Sequence, residues 1–301
     1  ATIGGVAVTS TPPSITVSGA GQTVLWTKPS GGVWRLGKNW STGTPPGVND
    51  DAVIDLPGSY TVTMDVNPAL ASLTLGGAGA TPTLTANARS LNTGNGTTIS
   101  SGSVLILGNS TVAGPLDNQG MVLVQGSSVV GGALTTGGGS LIRLEGNGTL
   151  GTGTLTVATG FTNTAAIELT NTSAGFGAVL TVTAGTLLNQ GTVSSLAGAG
   201  GGGRTLSAQV DNQGSVVVQH PMDVVNASRT FTTDAGTLNV SAGQTLTINN
   251  GTTITGTTTV QTGTGTVNLG GTQTWTLASD FTLASASLVW TLGGSVTVTG
   301  P

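Results

Sequence analysis

Cysteine is absent from this 301-residue chain. No disulfide can staple it, so its stability must come from core burial and backbone ladders. Charge is scarce as well: seven Lys and Arg against eleven Asp and Glu, 6% of the residues charged, with a net charge of −4. So weak a balance excludes a nucleic-acid footprint, which needs basic side chains to displace counterions. It also excludes ordinary disorder, which pairs high charge with low hydrophobicity, because 37% of this chain is apolar. Helix formers are nearly missing. Glu occurs only at 145 and 168, Lys only at 28 and 38, and no stretch repeats apolar residues at helical spacing. No run of about 18 apolar residues is present to cross a bilayer as a helix, which predicts no transmembrane segment. No basic-then-apolar signal segment opens the chain, and Ala1-Thr2-Ile3-Gly4 reads as a mature terminus after export. With so little Lys and Glu and so much Thr and Gly, the composition points to an extracellular, secreted or cell-surface protein.

What is present is β chemistry. Thr, Val and Ile branch at Cβ and suit a pleated surface, while 51 Gly, with Asn, Asp and Ser, supply turns. Asn-Gln-Gly occurs at 118–120, 189–191 and 212–214, with Asn95-Gly96 upstream. The steps between these Asn positions are 118 − 95 = 23, 189 − 118 = 71 and 212 − 189 = 23, the middle one close to three times the others. The stretch from Leu116 to Val124 matches that from Val210 to Val218. Short apolar-rich strands are expected at 103–107, 121–124, 141–144, 166–169, 215–218, 237–240 and 258–260. Most of their starts are separated by one step of this period or slightly less, and the gap from 166 to 215 spans two. An imperfect period near 23 with about three strands per period predicts an all-β, right-handed parallel β-helix, or β-solenoid. An antiparallel sandwich array would use the same short strands, but the recurring corner motif favours the solenoid. Each Asn of the motif would turn a coil corner, and stacked Asn residues would form an internal amide ladder.

The ends differ from the middle. Trp26, Trp34 and Trp40 lie near the start, followed by Tyr60, while Trp275 and Trp290 lie near the end. A solenoid exposes its core at both ends, so these aromatics are expected to build caps rather than to stack on sugars. The chain divides accordingly into a strand-like arm (1–24), a capping module (25–78), coils (79–254) and terminal coils with a cap (255–301).

Residues 34–75 carry a Trp pair, a Gly/Pro turn, Asp50-Asp51 before an apolar strand, Tyr60-Thr61-Val62 and Ala71-Ser72-Leu73. This stretch resembles the opening module of bacterial extracellular β-helix proteins. It is also similar to the eight-glycine module preceding some β-helix carbohydrate-processing proteins. The coils that follow, such as residues 184–193, resemble autotransporter passengers and filamentous haemagglutinin-type adhesins. The resemblance implies a β-helix exposed at a cell surface and names no activity.

Catalytic candidates are few. Glu145 and Glu168 lie one period apart in similar strands and would stack on adjacent coils as an acid pair, the arrangement glycoside hydrolysis requires. The competing reading, a solvated outer face with Arg143 nearby, is preferred, so no enzyme is expected. His220, the only histidine, sits beside Pro221 with Asp223 a little further on, and reads as a loop residue. Asp50, Asp51 and Asp55 offer hard oxygen ligands for calcium, but Asp-Asp here reads more simply as a turn and strand start. No metal or cofactor is expected. The Gly200–Gly203 run reads as a flexible loop and not a phosphate cradle, since neither a Lys-Ser/Thr nor a helix follows. The strand-like tails at 1–18, with Ile3, Val6, Val8, Ile15 and Val17, and at 295–299 would be sticky edges that join copies into a fibre or surface assembly. The expected role is therefore a structural or adhesive surface protein. A carbohydrate-binding or polysaccharide-degrading module, with a cell-surface glycan as partner, is the alternative, and ice binding by Thr arrays is a third reading disfavoured by uneven spacing.

Overall fold

In the computed structural model, residues 21–233, 235–256, 259–277 and 288–300 are described. The N-terminal arm falls mostly outside them. The chain coils into a parallel β-solenoid, as its period predicts. One ladder runs unbroken through eleven strands, beginning Gly32–Val33, Thr61–Met64 and Thr83–Asn87 and ending Ser215–Val218, Thr237–Val240 and Val260–Gly263. Every neighbour in it pairs parallel. The two-period gap is filled by Thr192–Ser195, which sits between Ala166–Asn171 and Ser215–Val218. Thr258 lies outside the described residues.

In the coils from Gly153–Asn163 to Thr245–Thr255 the other two faces come from single strands that bend. Gly153–Asn163 lays its first half on Ala178–Val182 and, past an irregularity after Thr159, its second half on Leu187–Asn189. Glycine is required at that bend: a Cβ on Gly160 would come within 2.5 Å of the Thr186 amide nitrogen one coil on, and Gly185 beside it has φ +77°. An Asn corner then turns the chain into the unbroken ladder.

Alternation sets the core. Arg204–Asn212 alternates buried and half-buried without a break, as a period-2 side-chain pattern must. One inward column stacks Leu84, Leu105, Val122, Ile142, Ile167, Val193, Val216 and Leu238, each at most 1% exposed. Full burial of such a side chain is worth about 1.5–3 kcal/mol. The column beside it is apolar except at Ser195, whose hydroxyl donates to the His220 carbonyl at 2.6 Å.

The amide ladder forms as expected, over a shifted set of residues. Asn163 Nδ2 donates to Asn189 Oδ1 at 2.8 Å, Asn189 Nδ2 to Asn212 Oδ1 at 2.8 Å, and Asn212 Nδ2 to Thr233 Oγ1 at 3.2 Å. Asn95 takes no part. The coil before Asn118 is shorter than the period, since Asn118 pairs with Ile99 and not with Asn95. With Ile99 on one side and Thr136 on the other, Asn118 has no amide rung, and its buried Oδ1 has no partner. Arg204 stands opposite Met222, and the Arg229 guanidinium donates to the carbonyls of Val182 and Thr183.

Aromatic clusters stand near both ends. Trp26, Trp34 and Trp40 are at most 2% exposed and pack edge-to-face, with ring centroids 5.1 and 4.7 Å apart. Trp26 bridges antiparallel to Trp40, and the Ser41 amide donates to the Leu25 carbonyl. This segment closes the outer edge of Thr23–Leu25. Near the other end Trp275 stacks on Trp290 at 4.9 Å. The strands Asp51–Ile54, Thr61–Met64 and Ala69–Leu75 of the capping module are themselves the first coils of the ladders.

Candidate functional site

The solvent side of the unbroken ladder gathers most of the chain's distinctive surface chemistry. On either side of the middle coils one outward column holds Thr and Ser, Thr61 and Thr83 and then Thr192, Ser215 and Thr237, before an exposed Val260 in the last strand. Between them the same column holds Val104, Met121 and Leu141, and the next column holds Ile106 and Leu123 before Arg143 and Glu168. All five apolar side chains are half-buried rather than core. They are outward because Leu105, Leu107, Val122 and Val124 already occupy the inward positions. At one corner of this patch a shallow hollow is lined by Ser101, Ser103, Val104, Gln119, Met121 and Leu141, among others. Sequence reading marked the strands but not their apolar outer face. The signal was available: Val104-Leu105-Ile106-Leu107 and Met121-Val122-Leu123-Val124 are continuous apolar runs where a half-exposed strand should alternate.

The carboxylates lie at the edge of this patch. Glu168 stands opposite Arg143, and Glu145 opposite Thr170. The register step between these strands is 168 − 143 = 25, against 168 − 145 = 23 between the carboxylates, so Glu145 and Glu168 sit two positions out of register. Arg143 holds Glu168 Oε2 through Nη2 at 2.6 Å and Nε at 2.8 Å. Glu145 Oε1 accepts from Gln125 Nε2 at 2.8 Å. Both acids are thus engaged by neighbouring coils in a partly exposed surface network. A network of this kind contributes little: Glu168→Gln is expected to lower stability by under about 1 kcal/mol, measured by urea denaturation, and to do so less at high salt.

The other candidates lie elsewhere. Asp50 accepts the Gln22 amide at Oδ1 and the Gly47 amide at Oδ2, at 3.1 and 2.8 Å, and Asp51 accepts the Ser72 hydroxyl. These contacts fit a turn and strand start. Asp55 adds its charge to burial, the larger cause, in pushing the Tyr60 phenol above its ordinary value. Among the described residues no three His, Cys, Asp or Glu side chains gather as a metal site. His220 and Asp223 are set apart from the acids, with His220 Nδ1 only 3.4 Å from the Pro221 carbonyl. Trp26, Trp34, Trp40 and Trp275 are buried, so their faces are not open to a sugar ring.

A buried polar node was not anticipated. Arg204 is fully buried, with no carboxylate on its guanidinium. It donates instead to the carbonyls of Leu196, Ala197, Gly201 and Gly202 and to Asn171 Oδ1. Asn171 Nδ2 in turn donates to the carbonyls of Ser173, Phe176, Gly200 and Gly201. Burial pulls the Arg204 pKa down. The four-glycine run, expected to be a flexible loop, is the wall of this cage. Gly200, Gly201 and Gly202 have φ of +77°, +60° and +67°, a backbone that lets successive carbonyls turn toward one guanidinium.

Among the described residues no helix is long and apolar enough to cross a membrane. Comparison of the chain with protein-family models, with curated proteins and with solved structures returned no match.

Proposed function

We propose that this chain is an extracellular structural or adhesive protein: a rod that presents one apolar face to a neighbouring surface and joins other copies through terminal strands. The observation that carries the reading is the outward patch of Val104, Ile106, Met121, Leu123 and Leu141, set in a ladder whose other outward positions are mostly small and polar. A contiguous apolar patch with a polar rim marks a contact surface. The composition and the resemblance of residues 34–75 and of the coils to autotransporter and haemagglutinin-type adhesins support a place outside the cell. Eleven rungs at about 4.8 Å give a rod about 50 Å long.

The double variant Met121→Thr/Leu123→Thr tests this, because it restores the small polar pattern of the neighbouring coils. Retention on alkyl-coated beads is expected to fall by about tenfold or more with little change in melting temperature. Equal retention of variant and wild type overturns the adhesive face. Retention of both on a glycan matrix in its place would favour the carbohydrate-binding alternative. Surface labelling of intact producing cells checks the location.

A further inference from the structure

Because the chain has no cysteine, its sulfur is confined to three methionines. Two of them are sealed in the core: Met64 is 2% exposed and Met222 1%. Both occupy inward positions, Met64 opposite Ala86 and Met222 between Arg204 and Leu246. Met121 is placed differently. It stands outward on the unbroken ladder, half-buried, between its register mates Val104 and Leu141. It also lines the corner hollow, together with Gly102, Gly120 and Gly139. Space is open on that side, since nothing lies within 4 Å of where a Cβ on Gly138 or Gly139 would stand. One thioether of the three is therefore within reach of a dissolved reagent, and it is the central member of the apolar column.

We propose that Met121 is an oxidation site that switches the apolar face off. The inference rests on the reading of that face as the adhesive surface, and it names how the contact is regulated. Hydrogen peroxide is the oxidant. A lone pair on the Met121 sulfur attacks one peroxide oxygen, the S–O bond forms as the O–O bond breaks, and the departing hydroxide takes the proton from the transferred oxygen and leaves as water. Sulfur is oxidised to the sulfoxide by two electrons, and the peroxide is reduced by two. A thiol-dependent methionine sulfoxide reductase runs the step back: the oxygen leaves as water while two thiols join in a disulfide. The sulfoxide is polar where a flexible apolar side chain stood. In a contact it must shed its water, and Val104 and Leu141 beside it bring no donor in exchange. Met64 and Met222 meet the oxidant only when their coils open, so the reagent acts on the outer face and leaves the core intact.

Peroxide titration of the folded chain, followed by peptide mass spectrometry, is expected to add one oxygen to Met121 before Met64 or Met222. In urea, where burial is lost, the three should oxidise alike. Retention of oxidised wild type on alkyl-coated beads is expected to fall by about tenfold, and the reductase with dithiothreitol should restore it. Met121→Leu keeps an apolar side chain of similar volume and has no sulfur, so peroxide should leave its retention at whatever level it shows untreated. Oxidation of Met64 or Met222 as fast as Met121 in the folded chain overturns the proposal. So does equal retention of treated and untreated wild type once Met121 carries its oxygen, and so does a peroxide-induced drop in Met121→Leu as large as that in wild type. Failure of untreated wild type to bind the beads is a separate result: it overturns the adhesive face itself, and the switch with it.

Discussion

Replacing Arg204 by Met is expected to destabilise the solenoid by about 2–5 kcal/mol, because it takes the donor away from buried acceptors. Here the partners are four backbone carbonyls and Asn171 Oδ1. A thioether supplies no donor: the Ala197 carbonyl keeps the Gly200 amide, the Gly201 carbonyl keeps Asn171 Nδ2 and Asn171 Oδ1 keeps the Ala199 amide, but the Leu196 and Gly202 carbonyls are left behind, and each buried group left unpaired costs about 1–3 kcal/mol. Removing the guanidinium also removes its desolvation penalty, so the net loss is smaller than the sum of the five bonds. The damage should be local, since a solenoid's stability is close to a sum over neighbouring coils. Hydrogen exchange is expected to rise first at residues 172–177 and 196–203, the two loops that the Asn171–Arg204 node ties down. Arg204→Lys should recover only part of the loss, because an ammonium has three donors and no planar fork. A stability for Arg204→Met within about 0.5 kcal/mol of wild type, the range of an ordinary surface change, would show that the cage closes without its cation.

That node was not legible in the sequence, and the reason is physical. A lone Arg without a nearby acid reads as a surface residue, since unpaired buried charge is rare. What buries Arg204 is the glycine run before it, whose positive-φ backbone turns carbonyls inward, a feature visible only in three dimensions. The coil repeat was legible because it is written in redundant signals: inward Val, Leu and Ile at period 2, and Asn at the corner. The acid pair shows where such reading ends. A coil two positions longer than the period moves Glu145 opposite Thr170 and Glu168 opposite Arg143, and register along a strand decides which side chains meet. Asn163 was missed for a related reason. It is followed by Thr164-Ala165 and not by Gln-Gly, yet its side chain makes the same rung as Asn189. Conversely Asn95 carries a motif-like Gly but belongs to the start of a face, where Gly96 pairs with Ser72.

The amide ladder yields the second large effect. Asn189 is its middle rung, fully buried, accepting from Asn163 and donating to Asn212 Oδ1 at 2.8 Å and to the Ser215 carbonyl at 3.0 Å. Asn189→Leu keeps the volume and removes all three bonds. Asn212 Oδ1 and the Ser215 carbonyl lose the donor that Asn189 supplied, while Asn163 Nδ2 keeps the Ala165 and Thr192 carbonyls at 3.3 Å. The expected loss is about 2–4 kcal/mol, from the three bonds removed and from Asn212 Oδ1 left as a buried acceptor without a donor. Asn118→Leu is the internal control. Its Oδ1 already lacks a partner and its Nδ2 has one, the Leu141 carbonyl at 3.1 Å, so it should lose about 1–2 kcal/mol less. Asn189→Asp adds a pH signature. A carboxylate there accepts from Asn163 but faces Asn212 Oδ1 without a proton, and burial disfavours its charge, so its folded-state pKa lies above the unfolded value of about 3.9. A raised folded pKa gives stability that is fully present below the unfolded pKa and lost as pH rises through the folded one. Asn189→Asp should therefore come closest to wild type near pH ~3–4, where the protonated acid donates to Asn212, and fall furthest behind at neutral pH. Urea denaturation of both proteins across that range checks it. A difference from wild type that stays constant with pH would mean that residue 189 does not face the Asn212 oxygen, and that the ladder is not what holds these corners in register.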